Sequence, residues 1–174
     1  RTPLQLDATL SAKYECSVYL KREDLQVVRS FKIRGAYNMI RSLQPEDLEE
    51  ALNFAAQYDA KILIEECTEL NLYHAQGVAF SCNALGIQGK IYMPSTTPNQ
   101  KVKQVKRFGG EHVEVVLIGD TYDDAYAEAM KACREGGMTF IHPFDDPKIV
   151  AGNGTIGMEI MESLTAPADY VFVT

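Results

Sequence analysis

Short runs of apolar and β-branched residues alternate along this chain with longer stretches whose apolar residues recur at helical spacing. Strands are predicted at residues 17–20, 62–64, 89–93, 113–117, 139–141 and 170–173. Helices are predicted at residues 30–43, 45–58, 73–85, 97–108, 121–135 and 155–164. Apolar strands that alternate with helices are typical of a mainly parallel sheet covered on both faces. We therefore expect an α/β fold of three αβα layers.

The composition limits the classes of protein to which the chain can belong. Its 174 residues are 46% hydrophobic and 24% charged, which favours one packed domain or two small lobes over disorder. A formal net charge of -7 argues against nucleic acid or an anionic membrane as a partner. The apolar runs are too short for a transmembrane helix, and residues 1–4 lack the apolar stretch of a signal peptide.

The cysteines and histidines give no metal-binding pattern. Without CxxC spacing, the cysteines are expected to be reduced core thiols of a cytoplasmic protein; they are Cys16, Cys67, Cys82 and Cys133. The three histidines are also far from one another in the sequence and have no metal-ligand spacing. Acidic residues at 120–124 are expected to cap a helix, and the basic helix at 101–107 is expected to face solvent.

Lys32 is unusual because it projects from the apolar side of its predicted helix, between Met39 and Leu43. Arg34 is predicted on the polar side, where charges usually lie. Ser30 is a suitable N-cap, so Lys32 falls in the first turn, at the positive end of the helix dipole. Burial, the dipole and nearby arginines are expected to disfavour its ammonium form and to favour attack on a carbonyl carbon. On spacing alone, a lysine that reaches past apolar surface to water remains the alternative.

Several motifs follow one another in a characteristic order. They are RTPL (residues 1–4), YLKREDLQ (19–26), SFKIRGA (30–36), HAQGVA (74–79), MPSTTP (93–98), GDTYD (119–123), HPFDDP (142–147) and AGNGTIG (151–157). Together they resemble the pyridoxal-phosphate enzymes of the tryptophan-synthase β type, and most closely the threonine ammonia-lyases, with serine racemase as a related member. The resemblance covers nearly the whole chain except one stretch before residue 74.

The resemblance implies a fold of pyridoxal-phosphate fold type II and a specific chemistry. Lys32 would bind pyridoxal 5'-phosphate as a Schiff base and then transfer a proton at the substrate α-carbon. Phe31 would pack against the cofactor ring. The substrate would be an amino acid, and threonine would yield 2-oxobutanoate and ammonia, as in isoleucine biosynthesis. Because an incomplete open sheet exposes an edge and apolar surface, we also expect a homo-oligomer.

The loop before residue 74 departs from the family pattern. Where the family reads Ser-Ala-Gly-Asn or Ser-Ser-Gly-Asn, this chain has Leu70, Asn71, Leu72 and Tyr73. In the family that loop receives the substrate carboxylate, and its asparagine contacts the phenolic oxygen of the cofactor. The alignment therefore assigns Leu70, Asn71, Leu72 and His74 to substrate binding. It assigns Tyr73 to cofactor binding.

The end of the chain departs from the pattern as well. The family continues from a strand such as 170–173 into a run of glycines that cradles the cofactor phosphate. That phosphate loop is absent here, and the glycines at 152 and 154 are not expected to replace it. We expect residues 1–43 and 143–174 to form part of a larger cofactor-binding lobe and residues 44–142 to form a small αβα lobe.

Three functions remain open from the sequence. The first is a pyridoxal-phosphate ammonia-lyase, present as a partial or altered chain. The second is a non-catalytic α/β module, whether a truncated, engineered or recombined form of that scaffold. The third is another reaction on the same scaffold, such as serine racemisation, serine dehydration or β-replacement.

Overall fold

The computed structural model describes residues 1–42, 62–65, 72–143 and 145–173; residues 62–65 and 72 are described by their backbone alone. Within them are five strands: β1 (Leu4–Leu6), β2 (Tyr19–Lys21), β3 (Ile62–Glu65), β4 (Gly89–Met93) and β5 (Val113–Leu117). Six α-helices accompany them: α1 (Ala8–Tyr14), α2 (Lys32–Arg41), α3 (Leu72–Leu85), α4 (Asn99–Gly109), α5 (Tyr122–Gly136) and α6 (Pro147–Ser163). The helix predicted at 45–58 lies outside the described residues.

Strands β3, β4 and β5 form a parallel sheet with β4 at its centre. Ile91 of β4 is paired with Ile64 of β3 on one side and Val115 of β5 on the other. Side chains alternate between the two faces of a strand, so Ile91 and Met93 point to one layer and Tyr92 to the opposite layer. The predicted parallel α/β sheet is confirmed.

Helices cover both faces of this sheet. On one face, Ile91 and Met93 pack in a fully buried cluster with residues of α2, α3 and α4. On the other face, Tyr92 packs against Ala125, Ala129 and Cys133 of α5. The predicted three αβα layers are therefore present, and α3 is buried on nearly every side because it lies between the sheet and two helices.

Helix α2 lies between α3 and α6. Its contact with α6 requires glycine, because a methyl group on Gly152 would lie 2.4 Å from the Arg34 carbonyl oxygen and 2.8 Å from Gly35 Cα. The side-chain oxygen of Asn153 accepts a hydrogen bond from the Gly35 N–H at 3.0 Å. These residues of the AGNGTIG motif thus pack two helices together.

Four sequence predictions are wrong in detail. Residues 139–141 contribute one isolated bridge at Phe140, and residues 170–173 are not a strand, because no described neighbour supplies a hydrogen-bonded ladder. Helix α6 begins at Pro147 and not near 155, since Asp146 caps it and Gly152 packs closely against α2. Cys16 is exposed, whereas Cys82 and Cys133 are buried as predicted.

The N-terminal segment was also incompletely predicted. Strands β1 and β2 form an antiparallel pair in which Gln5 lies opposite Leu20, and α1 connects them. Asp7 caps α1 by accepting a hydrogen bond from the Leu10 N–H at 2.8 Å. These elements are only three to seven residues long, so the hydrophobic period that predicts longer elements is too short to detect here.

Candidate active site

Lys32 is the first residue of α2. Its backbone N–H donates a hydrogen bond to the Ser30 hydroxyl at 3.3 Å, and Phe31 occupies the N-cap position. Both Phe31 and Lys32 are half-buried, and Ile33 after them is part of the core. The predicted place of Lys32 in the first turn agrees with this geometry, but α2 begins at Lys32 and its N-cap is Phe31, not the predicted Ser30.

Helix α3 approaches Lys32 closely at Gly77. A methyl group on Gly77 would lie 3.0 Å from Ile33 Cα and 3.4 Å from the Lys32 carbonyl carbon. Such contacts are tighter than packed side chains normally make, so glycine is needed for the two helices to meet here. His74 lies one turn before Gly77 on the same side of α3. The structure therefore brings His74 to the first turn of α2.

His74 is a buried, neutral imidazole. Its side chain is 1% exposed. Burial above all, and then the positive charges of Lys32 and His142, lower the pKa of His74 to about 3, although a hydrogen bond with the Ile141 backbone opposes the shift. Among the described residues, no hydrogen-bond partner satisfies His74 Nε2. Lys32 and His74 are thus electrostatically coupled neighbours.

A buried network of four charges lies on the side of α2 that faces α6. Arg34 donates hydrogen bonds to Glu23 at 2.8 Å and to Glu159 at 2.7 Å. Lys21 of β2 lies 2.5 Å from Glu159. These four side chains are each between 9% and 14% exposed. The network ties β2 and α6 to the helix that carries Lys32.

Arg34 therefore does not lie on a solvent-facing side of the helix, and that prediction is wrong. Its predicted contribution to the repulsion of Lys32 is also reduced, because Glu23 and Glu159 balance its charge at hydrogen-bonding distance. The two carboxylates raise the pKa of the Arg34 guanidinium above its already high ordinary value. The network could not be predicted from sequence periodicity, because its four residues come from separate parts of the chain that only tertiary packing brings together.

Of the other residues predicted to bind substrate or cofactor, the structure describes only Leu72 and Tyr73, at the start of α3. Leu72 begins α3 and Tyr73 is 41% exposed, whereas the adjacent His74 is buried. Leu70 and Asn71 lie outside the described residues. The glycine-containing stretch at 152–155 lies inside α6, where the Thr155 hydroxyl accepts from Arg34 at 3.0 Å, so it does not form a phosphate loop.

The described ranges contain neither a membrane-spanning helix nor a metal-binding cluster. No helix in them is long and apolar enough to cross a membrane. Within the same ranges, His, Cys, Asp and Glu side chains do not form a group of three or more that could hold a metal ion.

Pyridoxal phosphate fits the described residues at its aldehyde end. Lys32 supplies a primary amine at the start of a core helix, and His74 supplies an unsatisfied buried ring nitrogen beside it. Fold and site together define an α/β protein with a half-buried lysine suited to carbonyl chemistry.

Comparison with known proteins identifies the family. The chain belongs to the pyridoxal-phosphate dependent enzymes, whose family profile matches residues 1–174. It is 54% identical over 171 residues to a biosynthetic L-threonine dehydratase of Halalkalibacterium halodurans, covering 98% of this chain and 38% of that protein. It is 49% identical over 173 residues to the Bacillus subtilis enzyme of the same name, covering 99% of this chain and 38% of that protein. The chain thus spans well under half the length of these relatives.

Solved structures give the same result. The processed form of threonine deaminase isoform 2 from Solanum lycopersicum superposes with a TM-score of 0.79 at 40% identity, covering 94% of this chain and 40% of that one. Maize serine racemase superposes with a TM-score of 0.78 at 26% identity, covering 94% and 44%. The expected relation to pyridoxal-phosphate enzymes of fold type II is confirmed.

Proposed function

We propose that these residues belong to a pyridoxal-phosphate dependent L-threonine ammonia-lyase that converts L-threonine to 2-oxobutanoate and ammonia. The observation that carries the proposal is the position of Lys32: a half-buried amine in the first turn of a core helix, beside a buried neutral histidine. The names of the relatives and the neighbouring structure support threonine as the substrate. The word biosynthetic in those names supports a role in isoleucine biosynthesis.

Several residues of this chain would each have a separate role in the reaction. Bound pyridoxal phosphate would supply an electron sink that makes the substrate α-carbon acidic. Lys32 would bind the cofactor aldehyde and then hold the α-proton at Nζ. Phe31, at the N-cap position, would pack against the cofactor ring. The network of Lys21, Glu23, Arg34 and Glu159 would keep the first turn of α2 fixed relative to α6.

The start of α3 would border the substrate. We propose Leu70, Asn71, Leu72 and His74 as substrate-binding positions and Tyr73 as a cofactor-binding position, because they align with the family loop. The exposure of Tyr73 leaves its side chain accessible to a ligand, and burial of His74 places its ring inside the site wall.

We also propose the lobe organisation and assembly. Residues 1–43 and 143–174 would belong to the larger lobe, which the packing of α2 on α6 supports, and residues 44–142 would form the small αβα lobe. The protein would be cytoplasmic and homo-oligomeric.

A racemase of the same fold is the second candidate, favoured by the superposition on maize serine racemase. A lyase and a racemase differ in the step that follows removal of the α-proton. A lyase eliminates the β-hydroxyl, whereas a racemase returns a proton to the opposite face of the α-carbon. A keto-acid product therefore supports the lyase, and D-serine without keto acid supports the racemase.

The experiment is product analysis with the full-length protein loaded with pyridoxal phosphate. L-Threonine should give 2-oxobutanoate, and Lys32→Ala should abolish the product together with the visible absorption of the lysine-bound cofactor. Lys131→Ala is a suitable control because this α5 lysine is 55% exposed and remote from α2 in the fold. Equal turnover by wild type and Lys32→Ala would exclude the proposed function.

A further inference from the structure

Among the buried side-chain polar atoms of the described residues, His74 Nε2 is unusual because it lacks a hydrogen-bond partner. Buried polar atoms are almost always hydrogen-bonded, because loss of water without a new partner costs free energy. The His74 side chain is only 1% exposed, and yet its Nε2 atom has no hydrogen-bond partner among the described residues. An unsatisfied atom of this kind marks a position that a ligand or an ordered water completes.

The protonation state of this nitrogen follows from its neighbour. The hydrogen bond between His74 and the Ile141 backbone raises the pKa of His74, so the ring donates and the carbonyl oxygen accepts. That bond occupies Nδ1, since Nε2 is the unpartnered atom. Burial and the charge of Lys32 nevertheless keep the ring neutral. Nε2 therefore carries a lone pair and can only accept.

The acceptor lies next to the proposed cofactor lysine. Gly77, one turn along α3, touches the backbone of Lys32 and Ile33. His74 lies one turn nearer to the N-terminus of α3 than Gly77, and its ring is close enough to Lys32 for the charge of that lysine to lower its pKa. The charge of Lys32 acts on this ring and lowers its pKa, as does His142 when it is protonated.

The chemistry of an amino acid restricts what can pair with Nε2. A carboxylate is only an acceptor at neutral pH and cannot donate to a lone pair. The amino group of the substrate is used in its bond to the cofactor. A hydroxyl on the β-carbon is then the remaining donor of a threonine- or serine-like substrate.

We propose that His74 is a specificity-determining residue whose Nε2 accepts a hydrogen bond from the β-hydroxyl of the substrate. This inference deepens the proposed function and rests on it. A neutral acceptor selects hydroxy amino acids, because an analogue without the hydroxyl leaves the buried nitrogen unpaired. The same bond orients the carbon–oxygen bond that breaks in the elimination.

The direct test is nitrogen NMR of the full-length protein with ¹⁵N-labelled histidine, loaded with pyridoxal phosphate. The Lys32→Ala variant is used so that L-threonine binds without turnover. L-2-Aminobutyrate, which has the same carbon skeleton without the hydroxyl, is the matched ligand. We expect L-threonine to shift the His74 Nε2 resonance toward that of a hydrogen-bonded nitrogen and L-2-aminobutyrate not to. Equal shifts with both ligands, or no shift with either, overturn the proposal.

Kinetics of two variants provide an independent test. His74→Asn retains a donor for the Ile141 carbonyl but lacks an atom at the Nε2 position, whereas His74→Gln places a polar atom near that position. We expect kcat/KM for L-threonine to fall about tenfold or more in His74→Asn, while the inhibition constant of L-2-aminobutyrate stays the same. His74→Gln should recover part of the loss. A parallel weakening of both ligands in His74→Asn would indicate a purely structural role and overturn the proposal.

Failure of this inference is distinguishable from failure of the proposed function. If wild type forms 2-oxobutanoate but His74 Nε2 does not respond to the hydroxyl, the lyase assignment stands and the specificity role is wrong. If the wild-type protein forms no keto acid, the proposed function itself fails.

Discussion

Arg34 Nη1 lies 2.7 Å from Glu159 Oε1, in an ion pair whose side chains are only 9% and 10% exposed. The pair joins α2 to α6 across 125 residues of sequence. Removal of one partner from a buried pair leaves an uncompensated charge, so it costs far more than the loss of an exposed pair. The position of Lys32, two residues before Arg34, depends on this connection.

Arg34→Ala should lower the free energy of unfolding by about 3 kcal/mol or more, because Glu23 and Glu159 would remain buried without their main counter-charge. Arg22→Ala is the matched control. The Arg22–Asp24 pair is also bidentate but has side chains 31% and 54% exposed, so its loss should cost much less than the loss of the Arg34 pairs. Urea unfolding of both variants measures the difference. Equal losses would contradict a buried network.

The same network predicts acid sensitivity. Hydrogen bonds from Arg34, and then from Lys21, hold the pKa of Glu159 far below its ordinary value of 4.5, although burial opposes the shift. The unfolded state therefore binds a proton at a pH where the folded state does not. The stabilisation is complete above pH ~5 and is lost as the pH falls through and below the ordinary value. Unfolding free energies measured from pH 6 to 3 should fall less steeply in Glu159→Gln than in wild type; identical slopes would rule this out.

Two glycines of α6 should respond oppositely to alanine. Gly152→Ala should destabilise the protein by about 1–3 kcal/mol, because the added methyl group would lie 2.4 Å from the Arg34 carbonyl oxygen. Gly157→Ala should stabilise it by about 0.5–1 kcal/mol, since a methyl group there meets no atom within 4 Å and alanine favours a helix. Thermal unfolding of both variants checks the opposite signs. Effects of the same sign would argue against the close packing of α2 on α6.

His74 should remain neutral well below the ordinary histidine pKa. Its pKa of about 3 follows first from burial and second from the charge of Lys32. Because the unfolded chain gains this proton near pH 6.5, stability should fall by up to ~1.4 kcal/mol for each pH unit below about 6. An NMR titration of the His74 ring between pH 8 and 5 should show no protonation. A midpoint inside that range would place the ring in solvent.

The sequence predicted the parts of the fold that have long, strong patterns. The three parallel strands and helices α2 to α5 follow from apolar periods and from signals such as Thr121, which caps α5. The start of α6 was missed, although Asp146 and Pro147 form a standard helix start, because the glycines that follow have low helix propensity. Packing against Gly35 overrides that propensity.

The site was predicted less completely than the fold. The position of Lys32 in the first turn was predicted, although the predicted N-cap, Ser30, lies one residue before the actual N-cap, Phe31. The burial of Arg34 could not, since its partners Glu23 and Glu159 come from other elements and only tertiary packing brings them together. The unsatisfied Nε2 of His74 could not be predicted either. Which ring nitrogen is left without a partner depends on where tertiary packing places the Ile141 backbone, and no sequence period specifies that.

Peptide mapping can show directly whether the Lys32 amine carries the cofactor. The full-length protein is loaded with pyridoxal phosphate, reduced with borohydride and digested, and the modified lysine is located by mass spectrometry. We expect the label on Lys32, with Lys21 unlabelled because it is held by Glu159. A label spread over exposed lysines, or its absence from Lys32, would show that Lys32 is not the cofactor lysine.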